Sequence, residues 1–563
     1  MYPPDHRRPR RWGVFAALTV WLAGCTPWSQ YVHNGFRVGP NYARPPAPVA
    51  RDWIDAKDDS LEATDVRVRR QPDDLSQWWT VFNDPVLDAL ILRAAGENLT
   101  VREAGFRVLE ARAQRAIARG NLLPQTQEAV ASYSRNKVSE SVANQWEMVQ
   151  KWFSLSDAGF NLAWELDFWG RFIRAVEAAD AELNASVENY DDVLVTLLAD
   201  VATAYVQIRT LERRIELAKK NIDIQKTSLK FAEARFNAGT TYEGPVDQAK
   251  SDLAATEALI PSLEIAMRVA QNQLCILLGM PPYNLREEKE FKLRAGVIPA
   301  APIAVAVDMP KELSSQAPAE TDEYRETALQ LGIPAELLTR RPDVRRAERQ
   351  AAAQCARIGI ATAELYPHIA ITGAIGVEAN YFGHLFEGSK SLVGSVGPSF
   401  QWNILNYGRL KNNIRVQDAR FQQLVAHYQN TVLKANAEVE NALVAFLKSH
   451  RRAKLLAAGA EAARAGVKVT WPRYNLGEAD TPFVVVALLQ EKMVQQYDEW
   501  AQAQGDETLA LIQMYRALGG GWQIRLPGAQ RAAAAERPSA PRPETIPTPP
   551  VEEPSAPEAA IEP

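Results

Sequence analysis

Phe168-Trp169-Gly170-Arg171 decides the fold, because it returns, loosely, as Asn406-Tyr407-Gly408-Arg409, and each copy heads a very long helical pattern. The separation from Gly170 to Gly408, carried forward without a gap, places Ala199-Asp200-Val201 on Ala437-Glu438-Val439. It also places Arg235-Phe236-Asn237-Ala238-Gly239 on Arg473-Tyr474-Asn475-Leu476-Gly477. Three matches in register over about seventy residues are an internal duplication.

The repeated stretch divides two periodicities. Before it, Phe160, Leu162, Trp164, Leu166 and Phe168 alternate with small or acidic residues, as in a strand with one apolar face. A weaker partner lies around Ala129, Ala131 and Tyr133. The second half repeats the alternation at Ile369, Ile371, Ile375 and Val377, then at Phe400, Trp402 and Ile404, so each chain is expected to supply four strands. After Gly170 the apolar residues fall at heptad spacing, as Val187, Tyr190, Leu194, Leu197 and Val201, and the stripe recurs as Val425, Tyr428, Val432, Ala435 and Val439. A helix from Arg171 to Gly239 would be roughly 100 Å long at about 1.5 Å per residue. Gly239 and Gly477 supply the helix stops and mark hairpin tips. A returning helix follows each, the first to Leu278-Gly279 with a kink expected at Pro261, the second to Leu518-Gly519.

Outward from this core the chain reads as six segments. Residues 1–24 form a basic stretch and a short apolar run that read as a signal peptide ending in Leu22-Ala23-Gly24-Cys25, with Cys25 the lipidated residue. Residues 25–77 read as extended, without helix. The first repeat, 78–280, opens at Trp78-Trp79-Thr80-Val81-Phe82-Asn83-Asp84-Pro85, where Asp84 caps one helix expected to run to Leu122-Leu123. Residues 281–341 connect to the second repeat, 342–519, which starts at Arg341-Pro342-Asp343-Val344-Arg345. The Pro, Ala and Glu of 520–563 read as a disordered tail.

Composition sets limits on function. In 563 residues with a net charge of −5 there is no general electrostatic basis for binding nucleic acid. The six histidines are scattered, no metal-ligand or catalytic spacing is found, and no cofactor is expected. Cys275 and Cys355 read as buried free thiols and Asp191-Asp192 as a solvated helix face. Four strands with an apolar outer face cannot sit in lipid with open edges, so several chains must close one barrel. Long duplicated stripes likewise demand partners and wrap into a cylinder.

The lipobox, the Trp78 to Pro85 and Arg341 to Arg345 motifs, the two Gly-Arg helix starts and the Arg-Tyr-x-x-Gly tip together resemble the outer-membrane factors of bacterial efflux systems. The likeness is to the lipoprotein branch of NodT or OprM-like proteins, related to TolC. It implies a mainly α protein with a membrane β-barrel: a homotrimeric helical tunnel continuous with a twelve-stranded barrel. The resemblance further implies a periplasmic adaptor and an inner-membrane pump as partners, and passive conduction of small hydrophobic or amphipathic compounds. Protein secretion through the same duct, or a periplasmic coiled-coil scaffold without membrane strands, are the alternatives. The family closes its tunnel at the periplasmic tip, and Tyr474 matches the tyrosine of that lock. Elsewhere the sequence departs: Phe483, Val486 and Ala479 stand where two acids and an arginine are usual, leaving as tip charges Glu478 and Asp480, with Glu243 and Asp247 on the other hairpin. Asp480 equally suits a helix cap. The expectation is a gate narrowed by Phe483 and Val486, with Gly170-Arg171 and Gly408-Arg409 as the joint between barrel and tunnel and the two arginines near lipid head groups.

Overall fold

The computed structural model describes residues 28–49, 54, 67–69, 75–139, 141, 152–285, 297–299, 328–330, 340–476 and 482–526. Cys25, Gly477, Glu478, Ala479, Asp480 and the tail beyond 526 lie outside them.

In chain order the elements are α1 (Trp28–His33), β1 (Arg67–Arg69), a 3-10 segment (Leu75–Phe82), α2 (Pro85–Glu97), α3 (Leu99–Gly120), β2 (Thr126–Lys137), β3 (Trp152–Leu166), α4 (Arg171–Asn237) and α5 (Gly244–Leu277). The second half follows with β4 (Ala328–Gln330), α6 (Pro342–Ala363), β5 (His368–Ala379), β6 (Leu392–Gln401), α7 (Arg409–Leu476) and α8 (Phe483–Ala517). The duplication is therefore structural: short helix, two strands, long helix, returning helix, twice. The long helices α4 and α7 hold 67 and 68 residues, so each spans about 100 Å.

Three expectations need correction. A six-residue helix, α1, occupies part of the stretch read as wholly extended. The single helix expected from Pro85 breaks at Asn98. Asp84 does cap α2, accepting from the Val86 and Leu87 amides, but Asn98 then caps α3 by accepting from Thr100 and Val101 while its own amide donates to the Leu277 carbonyl. That side chain satisfies orphan groups of two helices at once, which a continuous helix would forgo. Finally, the strands end at Leu166 and Gln401, short of Phe168 and of Trp402 and Ile404. Trp402 leaves the strand to donate its indole N–H to the Leu365 carbonyl, as Trp164 donates to Leu122. The two bonds occupy corresponding places in the two repeats.

Helix α5 continues through Pro261. It ends at Gly279 (φ +73°), and α8 ends at Gly519 (φ +74°), in the same way: the glycine N–H bonds back to Ile276 or Arg516 and the next residue's to Cys275 or Tyr515. This is the closing pattern that a left-handed residue permits. Helix α4 ends likewise, with Gly239 (φ +67°) bonding to Phe236 and Thr240 to Arg235.

The core lies where the two repeats meet. Trp78, buried, stacks on Tyr515 of α8 with ring centres 5.3 Å apart, and Leu87, Leu90, Leu198, Ile208, Leu274 and Phe446 belong to the same buried cluster. Asp84 serves here twice, because its second oxygen accepts from the Tyr205 hydroxyl at 2.6 Å. Cys275 and Cys355 are buried free thiols.

Candidate functional site

The four-stranded antiparallel sheet runs β2-β3-β5-β6. Its register puts Phe160 opposite Ile375, Trp164 opposite Ile371, Leu166 opposite Ile369 and Ile369 opposite Phe400. Directly paired residues share a face, so one side of the sheet is a continuous apolar surface. The opposite side pairs Gly159 with Gly376, Asn161 with Ala374, Thr372 with Gly397 and Ala370 with Ser399. Phe160, Ile375, Val396 and Phe400 are all strongly exposed in the single chain. With 10 to 15 residues each, the strands match or exceed the roughly 9–11 residues of a tilted membrane strand. An apolar outside, a small and polar inside and two unpaired edge strands make an arc of a barrel.

The joint is built twice and differently. Gly170 (φ +75°) and Gly408 (φ +81°) both occupy the left-handed region that disfavours a Cβ. Around Gly170 space is also closed: a Cβ there would stand 2.5 Å from Arg37 Cγ and 3.0 Å from Arg37 Cα, whereas at Gly408 the nearest atom is Asn412 Nδ2 at 3.7 Å. The 34–41 segment crosses this joint. Its Val38 N–H donates to Trp169, and Arg174 donates to the Val38 and Gly39 carbonyls and to Asn41. Arg171 pairs with Glu165 at 2.8 Å and lies over the Phe172 ring. Arg409 is exposed.

At the far end of the helices the structure brings Tyr474, Phe483 and Val486 together. All three are buried, with Ala232, Val246 and Ala249 of the other hairpin around them. Phe483 and Val486 are thus covered inside one protomer and do not narrow a passage as side chains. They fasten the tip of the second hairpin to the first. Arg235 adds to this by donating to the Tyr474 carbonyl at 3.2 Å with its guanidinium over the Tyr474 ring. The residue before α8 is Pro482, which makes no side-chain cap bond. Further up, Ser228 and Gln490 exchange a buried hydrogen bond, and Arg214 grips Asp498 with two bonds of 2.8 and 2.9 Å. Glu243 and Asp247 are exposed on the first tip.

A cluster that the sequence did not disclose ties the C-terminal turn to α4. Asp191 is fully buried, correcting its reading as part of a solvated face, and Arg525 binds both its oxygens. Arg345 pairs with Glu188 at 2.6 Å and approaches Asp191 at 3.6 Å, with its guanidinium 4.6 Å from the Trp522 ring centre. Burial, outweighing Arg345, lifts the Glu188 carboxyl to about 7. Arg341 is also buried and donates to the Ala517 carbonyl at the end of α8 and to Asp343 and Glu438. The Arg341 to Arg345 motif is thus a brace between repeats. Among the described residues no group of metal-ligating side chains occurs.

These features define a class: an outer-membrane channel protein in which a barrel arc leads, through two glycine joints, into paired helical hairpins. The chain belongs to the Outer membrane efflux protein family, whose pattern it matches over residues 90–280 and 333–520. Among curated relatives it is 29% identical to the pyoverdine export outer membrane protein OpmQ of Pseudomonas putida, over 80% of this chain and 89% of the relative. It is 28% identical to nodulation protein T of Rhizobium leguminosarum bv. trifolii, over 85% and 94%. Of solved structures, that of the outer-membrane channel OprN superposes with a TM-score of 0.74 at 31% identity, over 86% of this chain and 99% of the other.

Proposed function

We propose that three copies of this chain assemble into one duct of a tripartite efflux system, fed by an inner-membrane pump through a periplasmic adaptor. The observation that carries the reading is the sheet: an apolar face continuous across β3, β5 and β6, with β2 and β6 left as open edges. Unpaired strand edges are excluded from lipid, and three four-stranded arcs close a twelve-stranded barrel. Both strand pairs lead directly into helices about 100 Å long, so the barrel opens onto a tunnel and not onto a plug. A lipid on Cys25 would tether the N-terminal segment at the membrane, where residues 34–41 already cross the joint.

The cargo is a class of small solutes, with small hydrophobic or amphipathic compounds fitting the reading best. Relatives bear names that specify pyoverdine, toluene and cations, so the pump, and not the duct, sets the substrate. At the periplasmic tip Tyr474 positions the second hairpin, and Glu478 and Asp480, with Glu243 and Asp247 of the first hairpin, carry the charge available to a gate.

The full chain, extracted from outer membranes in detergent and added to a planar bilayer, tests this. A heat-sensitive oligomer with stable single-channel conductance is expected. A protein released from membranes by carbonate, monomeric and without conductance, would replace the duct by the coiled-coil scaffold.

A further inference from the structure

The outward face of the barrel arc changes character from one end to the other. Along β3 it runs from Leu166, beside the joint, through Trp164, Leu162, Phe160 and Ala158 to Ser156, and then to Ser154 and Trp152. From Leu166 to Ser156 are ten steps, about 33 Å of strand and about 25 Å of height at a tilt of about 40°. That is the height of the apolar band of an outer-membrane barrel. Tyr133 stands opposite Ser156, at the upper edge of the band, where an aromatic girdle belongs. Above it on the same face, Arg135 is paired with Ser154 and Lys137 with Trp152, about 5 and about 10 Å higher and so in the head-group layer. The long helices leave from the Leu166 end, so the Trp152 end is the exterior one.

The two cations converge. The Arg135 guanidinium and the Lys137 ammonium lie over one and the same Trp152 ring, 5.8 and 5.6 Å from its centre, and both side chains are exposed. Among the described residues neither has a carboxylate partner. The acids of these strands, Glu128, Asp157 and Glu378, occupy the opposite face, where Asp157 accepts from the Ser132 hydroxyl. On β5 and β6 the outward positions at the top of the band are Val377, Ala379 and Leu392, so the charge is confined to the β2–β3 pair. Below the cations the wall is recessed. Ala131 is paired with Ala158 and Ala129 with Phe160, so that only methyl groups line the surface between the strongly exposed rings of Tyr133 and Phe160.

We infer that this face of the β2–β3 pair seats a phosphorylated glycolipid of the outer leaflet, with a sugar phosphate between Arg135 and Lys137 and an acyl chain in the alanine recess. A phosphate there accepts charge-assisted bonds from both cations and removes the repulsion between them. A phosphate monoester carries close to two negative charges, which matches the pair, whereas the phosphodiester of a glycerophospholipid carries one. A zwitterionic head group would in addition bring its own ammonium against two cations. The recess continues directly from the head-group level into the apolar band, as one lipid molecule requires. Basic clusters at this depth are the usual means of holding an anionic head group.

The inference rests on the barrel proposed above, and lipid retention and conductance separate the two. The full-chain oligomer, purified in detergent and freed of lipid, is titrated with radiolabelled bis-phosphorylated lipid A, with the same lipid stripped of phosphate, and with phosphatidylglycerol. Wild type should hold the bis-phosphorylated lipid at least about tenfold more tightly than the Arg135→Gln, Lys137→Gln double variant, and the two should hold the dephosphorylated lipid alike. Arg135→Lys keeps the charge and should keep most of the affinity. Equal retention of the bis-phosphorylated lipid by wild type and double variant, both conducting, overturns the seat and leaves the duct standing. Phosphatidylglycerol held as tightly as the bis-phosphorylated lipid overturns the choice of glycolipid. A wild-type chain that is monomeric and without conductance overturns the barrel and the seat with it. Should the double variant fail to assemble, Lys137→Gln alone, expected to weaken retention about fivefold, decides in the same way.

Discussion

Gly170 and Gly408 are the same residue of a duplicated motif in nearly the same conformation, yet their replacement by alanine should cost different amounts. Each variant forces a Cβ into the left-handed region, a penalty of about 1–2 kcal/mol. At Gly408 that is the whole cost, since the nearest atom stands at 3.7 Å. At Gly170 the new methyl meets Arg37 Cγ at 2.5 Å and Arg37 Cα at 3.0 Å. Arg37 cannot swing aside freely: its Nε donates to the Asn34 carbonyl, its Nη1 pairs with Glu177, and the next residue bonds to Trp169. Overpacking of this kind adds about 1–3 kcal/mol, for a total of about 2–5 kcal/mol. Urea unfolding of the detergent-solubilised chain, followed by far-UV circular dichroism, should place Gly170→Ala below Gly408→Ala by at least about 1 kcal/mol. Adding Arg37→Ala removes Cγ but leaves the backbone at that position in place, so it should recover part of the difference, measured against Arg37→Ala alone. Equal losses at the two glycines, or complete recovery, would refute a backbone clash as the source.

Two further outcomes follow from the buried charges. Arg525→Ala should destabilise by about 2–4 kcal/mol, because it strands the buried Asp191, and Asp191→Ala by less, because Arg525 is itself exposed to water; the double variant should lose less than the sum of the two, and additive losses in the same urea assay would mean that the pair is not coupled. Glu188 is lifted from 4.5 to about 7 by burial, so its contribution to stability is full below about pH 4.5 and is lost as pH rises through about 7. Relative to Glu188→Gln, the wild type should therefore lose stability between about pH 5 and about pH 8; a gap that stays constant over that range rules the shift out.

What the sequence disclosed was periodic, and what it concealed was pairwise. The strands, the long helices and the joint glycines leave signals that add up over many positions, so the alternation at Phe160 to Leu166 and the heptads after Arg171 locate their elements within a few residues. The helix break at Asn98 depended on one amide reaching Leu277, about 180 residues away in the chain, and no local pattern carries that. Asp191 is similar: two adjacent acids on a long helix read as solvated until Arg525 and Arg345 arrive from remote segments. Phe483 and Val486 were recognisable as departures from the family's acids, but only packing shows that they face the other hairpin and not the passage.

The Arg525 grip on Asp191 also makes a buried acid depend on a distant part of the chain. Asp191 comes early in the chain and its partner is among the last of the described residues, so a chain ended short of Arg525 holds an acid in α4 without its bidentate partner. Such a chain keeps only Arg345, at 3.6 Å, beside that buried carboxylate. The last described turn of the chain is in this way a clasp on the middle of its first long helix, joining two segments more than three hundred residues apart.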